Sequence, residues 1–384
     1  MTNNGPDKLQ HKRLFTDDLN IGDYVQNKNT EASANDLAAS IIIVNFNGWD
    51  DLEKCLDSLL ENPLTDSEII VVDNCSTDGS AQKVQKSFPN VKLIQSKSNL
   101  GFGGGNNLGA IYASGRTLVF LNPDTTVAPS WLPPLLKTLD SESKIGMVTS
   151  RILLMDNPGR INTCGNDIHI SGLAMCRGMG QNADTFFKNR PDFVAAISGA
   201  AFAIRKELFQ HLGGFDEVFF LYMEDTDLSL RLRLAGYQIV CVPESTVFHD
   251  YVLTFGSMKT FYQERNRYLM LLKCFQWSTL ILLIPVLLLA EVVTWGYILW
   301  RDRKNIKNKW LAYDWIRVNW VQIMQKRKKT QGIRNGVTDK DLLGLTTTRI
   351  DFSQTGTGWI VKLAVAIFDP LFLICRQVSL LLIR

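Results

Sequence analysis

A doubly wound α/β fold with a mostly parallel sheet, followed by a helical membrane-associating region, is the architecture that this 384-residue sequence predicts. Three observations predict it. From Ser40 onward, short β-branched runs alternate with segments of helical spacing, as in strands that cross over through helices. Polar and glycine-rich clusters follow the strands, where such sheets bind their ligands. After residue 270 the chain turns apolar and basic in long blocks.

Residues 1–39 are polar, mixed in charge and without the apolar run of a signal peptide, so a disordered extension is expected. Ile41 to Val44 is a β-branched run suited to a buried parallel strand. Leu52, Leu56, Leu59 and Leu60 then set a helix over 50–61 that stops before Pro63. A strand at 69–72, a helix at 81–87 and a strand at 91–94 continue the alternation. A glycine-rich turn leads into a helix through Leu108 to Tyr112, and Leu118 to Leu121 makes the fourth strand. Past Arg151 the pattern loosens into hairpins. It tightens again over 193–204, a helix from Lys206, a second helix near 225–235 and a strand at 238–242. Three parts are therefore expected: the extension 1–39, an α/β domain at 40–270 and a helical, basic and apolar region at 271–384.

Net charge is +3, which argues against a dedicated nucleic-acid binder. The charge is uneven, because residues 301–357 hold about 13 Lys and Arg against about 5 Asp and Glu. Seven cysteines are scattered with no CxxC pair, so neither a disulfide framework nor a zinc knuckle is indicated, and a reduced, cytosol-facing compartment fits.

The polar residues at the strand ends carry the chemistry. In Asn122-Pro123-Asp124 a carboxylate just past a strand suits a divalent cation bridging diphosphate oxygens, although Asn-Pro-Asp is also good turn chemistry. Asp73 at the end of the second strand can accept the imide N–H of a uracil, thymine or guanine ring. Thr77 or Asp78 beside it suits the cap of the next helix. The run Asn99 to Asn107 places four glycines before a helix, as a phosphate site or as a tight turn, and it matches neither the dinucleotide fingerprint nor the P-loop. Glu224 and Asp225 open a helix after the turn Gly213-Gly214-Phe215-Asp216-Glu217, which reads as carboxylates gathered where an acceptor hydroxyl needs a base. Acids in a first helical turn also answer the helix dipole, and Asp227 with Arg231 reads as a surface pair. His249 is either a metal ligand or structural.

In their order, these segments resemble glycosyltransferase family 2, with the GT-A fold, over roughly residues 40–270. The ordered set is Ile42 to Asn47, Val71 to Gly79, Asn99 to Asn107, Leu121 to Asp124, and Gly213 to Glu217 leading to Glu224 to Leu228. The subgroup most resembled is the rhamnosyltransferase-like one of bacterial cell-surface polysaccharide synthesis. The resemblance implies an inverting enzyme that uses a nucleotide-diphosphate sugar, dTDP- or UDP-linked, with Mg²⁺ or Mn²⁺ and a lipid-linked saccharide acceptor. It implies donor-binding roles for Asn45, Phe46, Asn47, Asp73, Asn74, Gly103, Asn107, Asn122 and Asp124. Asp124 and His249 become metal ligands, Asp225 the catalytic base, and Glu224 its catalytic neighbour. Two departures matter: the first acid of the DxD pattern is Asn122 here, and QxxRW is missing, with Gln263-Glu264-Arg265-Asn266-Arg267 nearby instead. The second favours addition of a single sugar. The rivals are a sugar nucleotidyltransferase, which requires an Arg- and Lys-bearing glycine loop after the first strand, and a non-catalytic membrane scaffold that kept the fold.

Residues 279–300 are apolar apart from Glu291 and, at about 1.5 Å per residue, are long enough to cross a bilayer. A second apolar stretch, 359–383, is interrupted by Lys362, Asp369 and Arg376. Two spans would leave the basic segment outside, against the positive-inside tendency. The favoured expectation is that both lie in, or dip into, the cytoplasmic leaflet of the inner membrane, with 301–357 on anionic headgroups and Tyr313, Ile316, Trp320 and Ile323 on one helical face.

Overall fold

The structure is a computed structural model that describes residues 37–62, 66–186, 192–251, 258–350 and 359–383. The expected extension therefore lies almost wholly outside the described residues.

β-branched runs buried on both faces give the first half its strands. β1 (Ala39–Asn45), α1 (Trp49–Leu60), β2 (Ser67–Asp73), α2 (Ser80–Ser87) and β3 (Lys92–Gln95) follow the predicted alternation. Next come α3 (Gly101–Tyr112), β4 (Thr117–Leu121), β5 (Thr125–Val127), α4 (Leu132–Ser141) and β6 (Ile145–Leu154). The glycine-rich run is not a turn but the first half of α3. Its glycines let the helix lie directly on the sheet: a Cβ at Gly105 would sit 2.6 Å from Val44 Cγ1, and one at Gly109 2.5 Å from Ile42 Cγ2.

The loosened stretch holds β7 (Ile161–Thr163), the hairpin β8 (Asn166–Ile168) and β9 (Ala174–Cys176), α5 (Ala183–Phe186) and β10 (Asp192–Phe193). β11 (Ala201–Arg205), α6 (Lys206–His211), α7 (Glu224–Leu234) and β12 (Gln238–His249) complete the domain, β12 running seven residues past the expected strand end. The main sheet runs β10-β12-β6-β11-β4-β1-β2-β3, with β5 beside β12 and β7 beside β6. β1 pairs in parallel with both β2 and β4, while β11 runs antiparallel to β4 and β6. The chain steps β1 to β2 to β3 in one direction and then returns to β4 on the other side of β1. That reversal is a topological switch point, and it opens a crevice outside the carboxyl ends of β1 and β4.

The helical region comprises α8 (Lys259–Cys274), α9 (Trp277–Leu282), α10 (Ile284–Arg301), α11 (Ile306–Val318), α12 (Trp320–Gly332), α13 (Asp339–Gly344) and α14 (Trp359–Leu382). The boundary expected after residue 270 falls inside α8, which packs on α7, α11 and α12 in one apolar cluster. The stretch 279–300 is broken between α9 and α10, where Pro285 fits the first turn of a new helix but not the interior of an old one. The axes of 284–300 and 303–318 diverge by 114°. Among the described residues, Val361–Leu382 is the one helix long and apolar enough to cross a membrane.

Two further expectations change. Tyr313, Ile316, Trp320 and Ile323 do not share one face, since the helix breaks at Asn319 and Ile323 is buried. The basic segment is only partly free: Lys309 bonds Glu291 and Thr294, Lys326 bonds Asp216, and Arg334 bonds Asp339. These inward cations neutralise buried carboxylates, which an apolar interior leaves no cheaper way to hold.

Candidate active site

At the switch-point crevice a cleft of about 440 Å³ is lined by Asn45, Phe46, Asn47, Asn74, Asn122 and Asp124, with Gly101, Phe102 and Phe220 opposite. Parallel register puts these residues together, because Asn45 pairs with Asp73 across β1–β2 and Ile43 with Leu121 across β1–β4. β1 and β2 thus end level and β4 two residues earlier, so that Asn122 to Asp124 bring its polar end to the same rim.

Unmade hydrogen bonds mark this rim. The side-chain oxygens Asn45 Oδ1, Asp73 Oδ1, Asn122 Oδ1 and Asp124 Oδ1 are buried without a hydrogen-bond partner. Buried polar atoms are nearly always paired, so four free acceptors at the ends of three adjacent strands point to a ligand rich in donors or cations. Asp73 accepts from Ser76 N–H at 3.1 Å with Oδ2 only, which leaves Oδ1 for a ring N–H. Phe46 is 49% exposed and offers an open ring face for stacking.

His249 reaches Asp124 through antiparallel pairing of β12 with β5, where His249 sits opposite Thr125. Its Nδ1 lies 2.9 Å from Asn162 Oδ1, and its Nε2 lies 3.3 Å from Asp124 Oδ1 without making a hydrogen bond. With Nδ1–H donated to Asn162, Nε2 presents a lone pair to a carboxylate oxygen. Two acceptors facing each other fit a shared cation, so the residues present suit a divalent metal. Among the described residues no group of three His, Cys, Asp or Glu gathers in this way, so donor oxygens and water would fill the remaining positions.

Several expected residues do other work. Asn74 donates to Asn99 Oδ1 and the Gly101 carbonyl and accepts from Leu100 N–H, so its amide ties β2 to the start of α3. Asn47 likewise accepts from Thr77 N–H at 2.7 Å. Gly103 lies inside α3 against Phe215, away from the cleft, because a glycine is needed where Phe215 packs on the helix. Asn107 is also off the cleft: it bonds the backbone of Phe215 and Glu217 Oε1. Asp78, rather than Thr77, receives the Ser80 N–H at the start of α2.

Glu224 and Asp225 stand at the start of α7, behind Phe102. A Cβ at Gly199 would touch Phe102 at 3.4 Å and Asp225 at 3.6 Å, so both side chains pack close to the Gly199 backbone. Phe102 lines the cleft, whereas Glu224 and Asp225 do not. Asp225 Oδ2 accepts from Gly199 N–H and Asn166 Nδ2, and Oδ1 accepts from Thr226 N–H. Burial raises the Asp225 pKa above the usual carboxylate value, and these hydrogen bonds partly offset the rise. Glu224 is buried with Oε2 unpartnered. Burial first, then the Asp225 charge, push its carboxyl well above the ordinary range.

Asp216 and Glu217 are not delivered to this place. Asp216 pairs with Lys273 at 2.6 Å and Lys326 at 2.8 Å, and Glu217 bonds Asn107. Asp227 and Arg231 form a fully buried pair, not a surface one, and Lys273 joins them at 2.8 Å. Between them, residues 216–223 hold three non-glycine residues at positive φ: Phe220 (62°), Tyr222 (67°) and Met223 (71°). At Phe220 the Leu221 N–H bonds the Phe219 carbonyl at 2.7 Å, closing a γ-turn of the rare positive-φ kind. Such residues cost about 1–3 kcal/mol each and persist only where surrounding contacts hold them. Asn162, Asn166, Gly199 and Phe102 were not singled out from the sequence. Asn162 reaches His249 from β7 and Asn166 reaches Asp225 from β8, contacts between segments far apart in the chain.

Comparison with known proteins agrees with this architecture. Residues 40–213 match Glycosyl transferase family 2. An N-acetylglucosaminyl-diphospho-decaprenol L-rhamnosyltransferase of Mycobacterium tuberculosis is 28% identical over 239 residues, 54% of this chain and 75% of that protein. An O-antigen biosynthesis protein of Myxococcus xanthus is 29% identical over 219 residues, although this chain spans only 17% of its length. Among solved structures, GalNAc-T7, crystallised with UDP, GalNAc and Mn²⁺, superposes with a TM-score of 0.51 at 21% identity, covering 62% of this chain and 48% of that one. Staphylococcus aureus TarS superposes at 0.51 and 16% identity, covering 89% of this chain and 53% of that one. At these identities both likenesses show the GT-A type of fold.

Proposed function

We propose that this chain, whose residues 40–213 match glycosyltransferase family 2, transfers a single sugar, rhamnose or a similar hexose, from a nucleotide-diphosphate sugar to a lipid-linked saccharide, with inversion, during surface-polysaccharide synthesis. The observation that carries this reading is the set of four unpartnered acceptor oxygens at the ends of β1, β2 and β4, beside the open Phe46 ring.

Asp73 Oδ1 takes the imide N–H of a uracil or thymine base, and Phe46 stacks on the ring. Asn122, Asp124 and His249 would hold a divalent cation, Mg²⁺ or Mn²⁺, which would offset the charge that builds on the departing diphosphate. Asp225 takes the proton of the acceptor hydroxyl as that oxygen attacks the anomeric carbon from the face opposite the diphosphate. One displacement inverts the configuration. A raised pKa makes Asp225 a stronger proton acceptor, and its hydrogen bonds from Gly199 and Asn166 aim it. Burial, then the Asp225 charge, raises the Glu224 pKa beside it. The likeness to the mycobacterial enzyme, whose acceptor is a decaprenol-linked sugar, supports the lipid-linked acceptor.

The helical region would serve as the dock on the cytoplasmic face of the membrane. Ile281, Ile284, Leu288, Val292 and Leu299 are exposed and recur at helical spacing along α9 and α10. Arg303, Lys304, Lys307, Lys328 and Lys329 are exposed nearby in sequence. An apolar stripe with basic residues beside it suits an interfacial helix on anionic lipid.

A thermal-shift screen of nucleotide-sugars and their diphosphates, with and without Mn²⁺, tests the donor half. Stabilisation by UDP or dTDP that requires the metal is the expected result. No shift with any nucleotide, in protein shown to be folded, would remove the basis of the proposal.

A further inference from the structure

We propose that Arg265 and Asn266 of α8 are positioning residues that hold the strained 216–223 loop, and through it set where Glu224 and Asp225 stand. The inference rests on the reading of Asp225 as the base. From α8, Arg265 Nη2 and Asn266 Nδ2 are turned onto the backbone carbonyls of this loop. Asn266 Nδ2 lies 3.0 Å from the Phe219 carbonyl, 2.8 Å from that of Leu221 and 2.7 Å from that of Tyr222. Arg265 donates to the carbonyls of Val218 at 2.6 Å and Phe219 at 2.8 Å. Arg265 Nε also donates to Asn266 Oδ1 at 2.8 Å. That bond fixes the amide so that its NH₂ faces the carbonyls, since the flipped amide would set oxygen against oxygen.

Both side chains are fully buried. Burial lowers the Arg265 pKa to about 10, so the guanidinium stays charged at neutral pH. The ring faces of Phe261, Tyr262 and Trp315 lie 4.7–5.1 Å from it and complete its surroundings.

The loop's geometry explains why it needs such a hold. Phe220, Tyr222 and Met223 take backbone conformations that side chains disfavour, and a released loop would relax out of them. The Phe220 carbonyl accepts the Phe102 N–H at 2.8 Å, and Phe220 and Leu221 line the cleft. Met223 is the residue from which α7 starts, directly before Glu224. Relaxation would therefore shift the start of α7 and the wall of the cleft together. Two residues of the segment that stands where QxxRW is absent thus serve backbone positioning rather than ligand contact.

The test compares Asn266→Ala and Arg265→Lys with wild type and with Asp225→Asn, in the full chain. Turnover is read as nucleoside-diphosphate release from the donor found in the screen above. UDP or dTDP affinity is read by titration with Mn²⁺, and backbone order by hydrogen exchange. Asn266→Ala should lower kcat on the order of 100-fold, as expected for a misplaced catalytic group. Nucleotide affinity should fall far less than kcat, by under about tenfold, since the cleft wall at Phe220 moves but Asp73 and Phe46 are untouched. Exchange should rise over 216–226 and stay unchanged in β1 and β4. Arg265→Lys, which keeps the charge and a hydrogen-bonding ammonium but loses the guanidinium fork, should retain more activity than Asn266→Ala. Wild-type kcat in Asn266→Ala beside an inactive Asp225→Asn overturns the positioning role alone. Exchange rising equally across the whole domain also overturns it, because the loss would then be global unfolding. Full turnover in Asp225→Asn instead removes the base assignment on which the inference stands.

Discussion

At Glu224 one carboxylate oxygen is buried with no donor, next to a second carboxylate. Its folded-state pKa is raised, so this group contributes stability below its unfolded pKa, near 4.5, and loses that contribution as pH rises through the folded value. Glu224→Gln should therefore raise the melting temperature at pH 7–8, with the gain vanishing below about pH 4. Melting curves at both pH values check this; a gain that persists in acid would contradict it. Asp225→Asn should abolish transfer, because an amide cannot take the acceptor proton, yet leave donor affinity nearly intact. Equal loss of nucleotide affinity in a titration would place Asp225 in donor binding instead. At the cation site, Asp124→Ala and His249→Ala should each weaken UDP or dTDP binding by roughly tenfold or more in Mn²⁺. In EDTA both should match wild type. Undiminished activity under chelation would refute a metal at Asp124 and His249. Asp73, Asp124 and the polar strand ends were legible in the sequence, because a strand end in an α/β sheet is where ligands bind. Asn162, which holds His249, and Asn166 and Gly199, which hold Asp225, were not, since each acts on a residue far from it in the chain.

Among the elements, α3 departs furthest from the expectation of a glycine turn. Glycine disfavours helix interiors, so its clustering reads as a turn from local preference alone. Packing reverses that preference, because only glycine lets α3 approach Val44 and Ile42. Gly105→Ala should destabilise the domain by about 1–3 kcal/mol, the usual cost of overpacking, despite alanine's better helix propensity. Denaturant unfolding measures this, and a stabilised variant would show that the close approach is not limiting. Docking of α14 depends on another buried group. His169 packs edge-on against Phe372 and bonds Ser171 at 2.7 Å, and burial, with the Arg267 charge, lowers its pKa to about 4. A histidine kept neutral in the fold contributes stability that is complete above pH 6.5 and is lost as pH falls toward 4. That window is worth about 3 kcal/mol. Unfolding measured from pH 7 to 4.5 should show this slope, and His169→Gln should flatten it.

For the molecule as a whole, α8 joins what the sequence separated. A cut after residue 270 removes Lys273 from Asp216 and Asp227 and opens the apolar cluster shared by α7, α8, α11 and α12. Leaving buried carboxylates without their cation is strongly destabilising. The truncated chain should therefore fail to fold, and a soluble fragment 1–270 that binds UDP or dTDP normally would show two independent domains. Membrane attachment is tested without truncation. Leu288→Glu, on the exposed stripe, should reduce sedimentation with anionic vesicles while leaving nucleotide affinity unchanged. Labelling of a cysteine placed at Lys328 by an impermeant reagent outside intact cells would put this segment on the far side and exclude a cytoplasmic dock.

By itself the sequence determined the alternation of strands and helices, the polar strand ends and the resemblance to glycosyltransferase family 2, because hydrophobic periodicity and short motifs are local and survive without contacts. It also carried the apolar and basic blocks after residue 270. Only the tertiary structure decided that Asn162 holds His249 beside Asp124, that three cations of the basic segment, Lys309, Lys326 and Arg334, neutralise inward acids, and that an apolar run breaks at Leu283. It alone revealed that Arg265 and Asn266 grip a strained loop. These depend on charge pairing and backbone hydrogen bonding between segments far apart in the chain, and such contacts leave no periodic trace in the residues that make them.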